Sequence, residues 1–147
     1  METVKKAEKE DIAKVAGLAA LLWKNSSADE LSKEFYDILE KGGVFFLKYE
    51  GGVPIGFAQC SLRHDYVEGT ETSPVGYLEG IFVCDGYRRR GYAKELLAAC
   101  EAWAKKQGCT EFASDCEINN LPSISLHKKY GFNESAKLIH FIKNIGG

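Results

Sequence analysis

Residues 75–115, VGYLEGIFVCDGYRRRGYAKELLAACEAWAKKQGCTEFASD, read as strand, loop, helix and strand in close succession. Strands joined through a helix run parallel, and the crossover is right-handed. The loop CDGYRRRGYA and the helix start then lie beyond the carboxyl ends of the strands, where open sheets of this kind bind ligands. A helix start offers amides without intrahelical acceptors and the positive end of the backbone dipole, so it suits an anion. Arg88, Arg89 and Arg90 run straight into Gly91, which lets a backbone come close, and small Ala93 keeps the first turn uncluttered. A pyrophosphate fits this corner, held chiefly by main-chain amides with the arginines adding charge around it. A solvated basic loop has the same spacing. Neither the GxxxxGK(S/T) phosphate loop nor the GxGxxG dinucleotide fingerprint is present.

The rest of the chain frames that unit. Residues 3–6 form a short first strand. A helix follows from Glu10 or Asp11 to about Trp23, with Ile12, Val15, Ala16, Ala19 and Leu22 on one face. Ser27-Ala28-Asp29-Glu30 is a capping-box pattern for a second helix, which Gly42-Gly43 stops. VFFLKYE and VPIGFAQCSLR, joined by Gly51-Gly52, read as a β-hairpin. HDYVEGTETSP is a polar connection holding Asp65, Glu68 and Glu71; Leu121 to Tyr130 is a short helix; FNESAKLIHFIKNI reads as a final turn and strand. With no linker, repeat or low-complexity segment, residues 1–147 make one α/β (α+β) domain. Its central sheet is mixed and mostly antiparallel, with one parallel βαβ unit and flanking helices.

Composition narrows the function. The formal net charge of -2 argues against a general nucleic-acid binder and fits a cationic small partner. Five cysteines without CxxC spacing or a close histidine make neither a metal pattern nor a disulfide framework, so no metal is expected. METVKKAEKEDIAKV lacks the apolar core of a secretion signal, and no apolar run approaches the ~20 residues a membrane span needs. A cytoplasmic protein without a membrane partner is expected.

Two motifs carry a resemblance. Arg88-x-x-Gly91-x-Ala93 resembles the Q/R-x-x-G-x-G/A acyl-CoA pyrophosphate loop of the GNAT superfamily of N-acyltransferases. Asn120-Leu-Pro-Ser123-Ile124-Ser-Leu126-His127, followed by Tyr130-Gly131-Phe132, resembles that superfamily's N-x-x-A-x-x-L-Y-x-x-x-G-F segment. The element order agrees over the whole chain. RHDYVEG, SPVGYLEGIFV and EFASDCEINN further resemble the aminoglycoside 6′-N-acetyltransferases, a GNAT subgroup. The resemblance implies acetyl transfer from acetyl-CoA to a primary amine of a polycationic aminosugar, and a homodimer. It puts coenzyme A at Ile81, Val83, Arg88, Arg89, Arg90, Gly91, Tyr92, Ala93 and Asn120. His127 stands where most relatives have a tyrosine proposed as general acid, and it would serve equally as a packing residue.

The residues make independent sense for such a substrate. An ammonium must lose a proton before its nitrogen attacks a thioester, so a carboxylate or a base-activated water is needed. Glu79 sits in the apolar strand YLEGIFV, where a charge is costly without a partner or a task. Asp115 ends EFASD at the carboxyl edge of the sheet. Either is a candidate to hold the amine and take its proton. Alternatively, Glu79 pairs with an arginine and Asp115 caps the turn into the last helix. Aromatic faces stack on sugar rings and receive ammonium groups, which makes Tyr66 a candidate; Trp23, which after Leu21-Leu22 would otherwise read as core, is a candidate only through the resemblance. The expected mechanism is direct transfer in a ternary complex, the pantetheine arm pairing with main-chain groups near Ile81 to Val83 and a strand amide near Val83 stabilising the oxyanion. A Cys84 nucleophile is the competing scheme, without a supporting His-Asn pattern. The same chemistry on a polyamine or a peptide N-terminus, and a silent acyl-CoA-binding module, are the alternatives.

Overall fold

The computed structural model describes residues 4–147, and the chain divides into two compact units, one ending at Asp115 and the other Cys116–Gly147. The first unit holds the sheet. Its elements run β1 (Val4–Lys6), a 3-10 turn (Lys9–Asp11), α1 (Ile12–Leu22), α2 (Ala28–Glu40), β2 (Val44–Glu50), β3 (Val53–Arg63), β4 (Val75–Val83), α3 (Tyr92–Lys106) and β5 (Phe112–Ser114). The strands lie in chain order, antiparallel except for the parallel β4–β5 pair. That is the mixed sheet with one βαβ unit expected from the sequence. Thr3, expected to open β1, lies outside the described residues.

Local chemistry accounts for the element ends. The Ser27 side chain accepts from the Glu30 amide at 3.1 Å, and the Glu30 carboxylate accepts from the Ser27 amide at 3.0 Å, closing the capping box that starts α2. Gly51 and Gly52 both have positive φ (59° and 78°), the conformation a tight turn between β2 and β3 demands.

Strand alternation sorts the core onto two faces. Phe45, Leu47 and Phe57 point to one face and pack with Ile12, Val15 and Ala19 of α1 and Phe35 of α2. Gly56, next along β3, points to the other, where an added Cβ would lie 3.3 Å from Leu96 of α3 and 2.9 Å from the Phe82 carbonyl. On the α3 face Lys48 is 4% exposed and its ammonium meets Glu95 at 2.8 Å, joining β2 to the first turn of α3.

In the second unit α4 (Leu121–Lys129) is capped by Asn120, whose side chain accepts from the Ser123 amide at 3.2 Å. The expected final strand is not formed: residues 132–147 carry no regular element, and Ile139, Phe141 and Ile142 are 79%, 90% and 99% exposed. A β-strand needs a neighbour to accept its main-chain hydrogen bonds, and among the described residues KLIHFIKNI has none.

Two glycines should respond oppositely to alanine. At Gly76 a Cβ would lie 2.6 Å from the Phe112 ring and 2.7 Å from the Ala104 Cβ, so G76A should lower stability by about 1–3 kcal/mol in urea denaturation. At Gly17, inside α1 with nothing within 4 Å, G17A should raise it by roughly 0.5–1 kcal/mol.

Candidate active site

The β3–β4 register places Gln59 opposite Gly80 and Cys60 opposite Leu78, leaving Glu79 as an extra residue on β4. This β-bulge changes the strand's phase. Ahead of it, Tyr77 and Glu79 face α1 and α2; beyond it, Gly80 and Phe82 do. Glu79 and Gly80 therefore stand side by side on one face, as an uninterrupted strand forbids. Gly80 has to be glycine because the Trp23 ring packs onto it, 2.7 Å from where a Cβ would sit. Trp23 is also held edge-on by Phe35 and Phe57, with centroids 6.4 and 5.9 Å away. A cavity of about 530 Å³ opens here, lined by Trp23, Gln59, Glu79 and Phe35, with Glu34 of α2 on its wall.

Glu79 is not an isolated charge. Arg63 donates from Nη2 to both of its oxygens, at 3.0 and 3.1 Å, and the Ser61 hydroxyl donates at 2.6 Å. The arginine pairing weighed from the sequence is present, and its partner is Arg63. The Arg63 guanidinium also lies 3.5 Å from the centroid of the Tyr77 ring, and the Tyr77 hydroxyl donates to Asp115. Burial, then the bond to Asp115, pushes the Tyr77 phenol well above its ordinary range, so it is a neutral donor. Glu79 and Asp115 are thus joined through Arg63 and Tyr77. Asp115 does not cap α4, a task that belongs to Asn120. The sequence reading missed Arg63, Tyr77, Ser61, Gln59 and Glu34; period-two alternation puts Gln59, Ser61 and Arg63 on one face of β3 and was the available signal.

Pairing of β4 with β5 covers only Gly76, Tyr77 and Leu78. From Glu79 to Val83 the second edge of β4 has no strand partner among the described residues, so the main chain at Ile81 and Val83 borders an open notch. The arginine corner lies at its end. Gly91 is the N-cap of α3 with φ 80°, and Arg89, unusually for a side-chain-bearing residue, has φ 64°. Arg88 donates from Nε to the Val83 carbonyl at 2.8 Å and pairs with Asp85 at 2.7 Å. Arg90 pairs with Glu50 at 3.3 Å, and the Tyr92 hydroxyl donates to the same carboxylate at 2.5 Å. Tyr92 therefore points its hydroxyl at β2, while the amides of Tyr92, Ala93 and Lys94 open the helix without intrahelical acceptors.

Cys84 follows β4 directly. Burial pushes its thiol above its ordinary value, against a smaller opposing effect of Arg88, which disfavours the thiolate a nucleophile needs. Tyr66 is 76% exposed; its hydroxyl donates to Glu68 at 3.0 Å and accepts from the Gly69 amide at 3.3 Å. In the second unit His127 donates from Nδ1 to the Ser123 carbonyl at 2.7 Å, one turn back on its own helix, with Phe132 edge-on at 5.0 Å. Among the described residues no group of three or more His, Cys, Asp or Glu is placed to hold a metal, and no helix is long and apolar enough to cross a membrane.

A sheet with one parallel pair, a notch beside its bulged strand and a glycine-capped helix at the notch's end are the arrangement that the resemblance to the N-acyltransferases implies. Residues 12–132 match the acetyltransferase (GNAT) family, and the chain belongs to it. Within that family it is 43% identical over 124 residues to aminoglycoside N(6′)-acetyltransferase type 1 of Acinetobacter haemolyticus, covering 84% of this chain and 86% of that one. A solved aminoglycoside N-acetyltransferase, AAC(6′)-Iy in complex with CoA, superposes with a TM-score of 0.93 at 38% identity, covering 97% of this chain and 95% of that one. The same enzyme with the bisubstrate analogue CoA-S-monomethyl-acetylneamine gives 0.92 at 37% identity, covering 98% and 99%.

The loop carrying Tyr66 is anchored by Glu111, which accepts from the amides of Glu71 and Thr72 at 2.9 and 2.8 Å and from the Thr72 hydroxyl. These bonds, that of the Thr72 side chain first, hold the Glu111 carboxyl below its ordinary value. A depressed folded pKa stabilises above the unfolded pKa and is lost as pH falls through the folded one. Amide-exchange protection at Glu71 and Thr72 should accordingly persist at neutral pH, decline as the solution is acidified below the ordinary carboxyl range, and be absent at every pH in E111A.

Proposed function

We propose that this protein transfers the acetyl group of acetyl-CoA to the 6′-amine of aminoglycoside antibiotics, by direct attack in a ternary complex, and so confers resistance. The observation that carries this reading is the placement of Glu79. Its carboxylate lines the cavity beside Trp23 at the residue where the second edge of β4 becomes open. An amine held by Glu79 lies next to whatever the open edge binds. The relatives named for this reaction supply the substrate class.

Each part of the site has a task in that scheme. Acetyl-CoA supplies the activated acyl group. The first-turn amides of α3, with Gly91 and Ala93 keeping the approach clear and Arg88, Arg89 and Arg90 around them, suit its pyrophosphate. Ile81 offers main-chain groups, and Val83 its N–H, to the amides of the pantetheine arm, the Val83 carbonyl being held by Arg88; a coenzyme contact of Asn120 is implied by the resemblance alone. A strand N–H near Val83 faces the negative charge that develops on the acyl oxygen. Glu79 and Asp115 hold the ammonium and accept its proton, directly or through water. Arg63 offsets the charge of Glu79 until a substrate ammonium shares that carboxylate. Trp23 and Tyr66 present aromatic faces to the sugar. Residues 1–147 act as one acetyltransferase domain in the cytoplasm, where acetyl-CoA is made available. The exposed apolar stretch Leu138–Ile145 supports a homodimer, since side chains this apolar are costly in water without a covering partner.

Kanamycin incubated with the protein and acetyl-CoA should gain one acetyl group at the 6′ nitrogen, read by mass spectrometry and fragment mapping. Replacing both carboxylates, as E79Q with D115N, should lower turnover by roughly 10²–10⁴-fold while calorimetric binding of CoA survives. Unmodified kanamycin alongside acetylated spermidine would overturn the aminoglycoside assignment. Undiminished turnover in the double variant would remove the two carboxylates from the chemistry.

A further inference from the structure

The cavity beside the bulge holds a buried polar side chain that the fold does not use. Gln59 lies on β3 between Phe57 and Ser61, with Phe45 of β2 and Gly80 of β4 as register partners. It is 8% exposed, and its side-chain amide has no hydrogen-bond partner among the described residues. No fully enclosed side-chain nitrogen or oxygen among those residues lacks a partner, so the amide must reach the cavity that Gln59 lines. A polar group kept at that depth without a partner is unfavourable, and a leucine would pack against Phe45 and Phe57 without that cost. The amide is placed for something that enters the cavity.

Its chemistry narrows the ligand. A primary amide presents an acceptor oxygen and a donor nitrogen side by side. An ammonium, which only donates, would satisfy half of it. A hydroxyl both donates and accepts and would satisfy the whole. Ammonium groups already have Glu79 on the floor of the cavity and Glu34 on its wall. Position narrows it further. Gln59 is opposite Gly80, and the bulge sets Gly80 beside Glu79 on the same face, so the two side chains start from neighbouring positions, their Cβ atoms about one cross-strand spacing apart, ~5 Å. Their polar ends can converge on two neighbouring substituents of one sugar ring, which lie closer together than that.

We propose that Gln59 is a substrate-contacting, specificity-determining residue that hydrogen-bonds a ring hydroxyl of the aminosugar next to the carbon bearing the reacting aminomethyl group. The assignment rests on the acetyl-transfer reading above. Glu79 holds the amine, Gln59 reads the adjacent hydroxyl, and the Trp23 ring packed on Gly80 forms an apolar wall for the ring between them. Aminoglycosides that lack the hydroxyl leave the amide unsatisfied and react less well.

The test compares kcat/KM for kanamycin B and for its 3′,4′-dideoxy counterpart dibekacin, which share the 6′-amine. The wild-type protein should favour kanamycin B by about tenfold, the worth of one well-made hydrogen bond, and Q59L should shrink that preference to about twofold or less. Q59N, which keeps the amide but withdraws it, should also lower the ratio and decides the matter if Q59L does not fold. A ratio that neither variant changes, or an equal loss on both drugs, overturns the role of Gln59 while leaving the aminoglycoside reading in place. A wild-type protein that acetylates neither drug overturns both.

Discussion

An extra residue in β4, opposite Gln59 and Cys60, sets which side chains of that strand point where. Without it, Glu79 would still face α1 and α2, but Gly80 and Phe82 would point toward α3, and Trp23 would have no flat strand surface to pack on. With it, the strand changes phase at the point where pairing with β5 stops. A bulge also increases local twist, and here the β4–β5 pair parts just there. One irregularity thus aims a carboxylate into a cavity, seats an aromatic wall beside it and lies at the start of an open strand edge. The apolar clusters on the two faces of the sheet hold that geometry in place.

A carboxylate in an apolar strand has to be compensated before any substrate arrives. Arg63 and Ser61 do this for Glu79, while Asp115, exposed just past the end of β5, accepts from the Tyr77 hydroxyl. The compensation is graded. Arg63 is half-exposed and pairs with Glu79 at the mouth of the site, where solvent weakens the pair. Tyr77 is buried and cannot easily leave Asp115. A cationic ligand can therefore compete for Glu79 at modest cost, whereas Asp115 stays oriented. That asymmetry suits a site in which one carboxylate meets the incoming ammonium and the other fixes its position.

Much of the fold was legible because it depends on local chemistry. The capping box at Ser27 and Glu30, the glycine turn after Glu50 and the crossover through α3 all follow from residue types at fixed spacing. Glu79 and Asp115 could be picked out because charged residues stand out in or at the end of apolar strands. Arg63, Tyr77 and Gln59 were missed because their roles depend on register between β3 and β4, and a bulge changes register without leaving a composition signal. Lys48 shows the same limit. In the sequence it is one lysine in VFFLKYE; in the fold it is almost fully buried and tied to Glu95, far along the chain. The last segment failed for a different reason. KLIHFIKNI has the composition of a strand, but strand propensity is realised only against a neighbour.

The arginine corner began as a puzzle of charge, three adjacent cations in a slightly acidic chain, and the structure divides it. Arg88 is committed to the Val83 carbonyl and Asp85, and Arg90 to Glu50. These contacts fix the loop rather than leave bare charge. Lys48 and Glu95 brace the first turn of α3 from below, and the Tyr92 hydroxyl ties the same turn to Glu50. The groups left facing outward are main-chain amides at a glycine-capped helix start and the exposed Arg89. An anion bound there gains directed hydrogen bonds from a framework already held in place, so little reorganisation opposes binding. The side-chain charges of Arg88 and Arg90 contribute most by building that framework, and the slight net acidity of the whole chain is then no obstacle to binding an anion at that helix start.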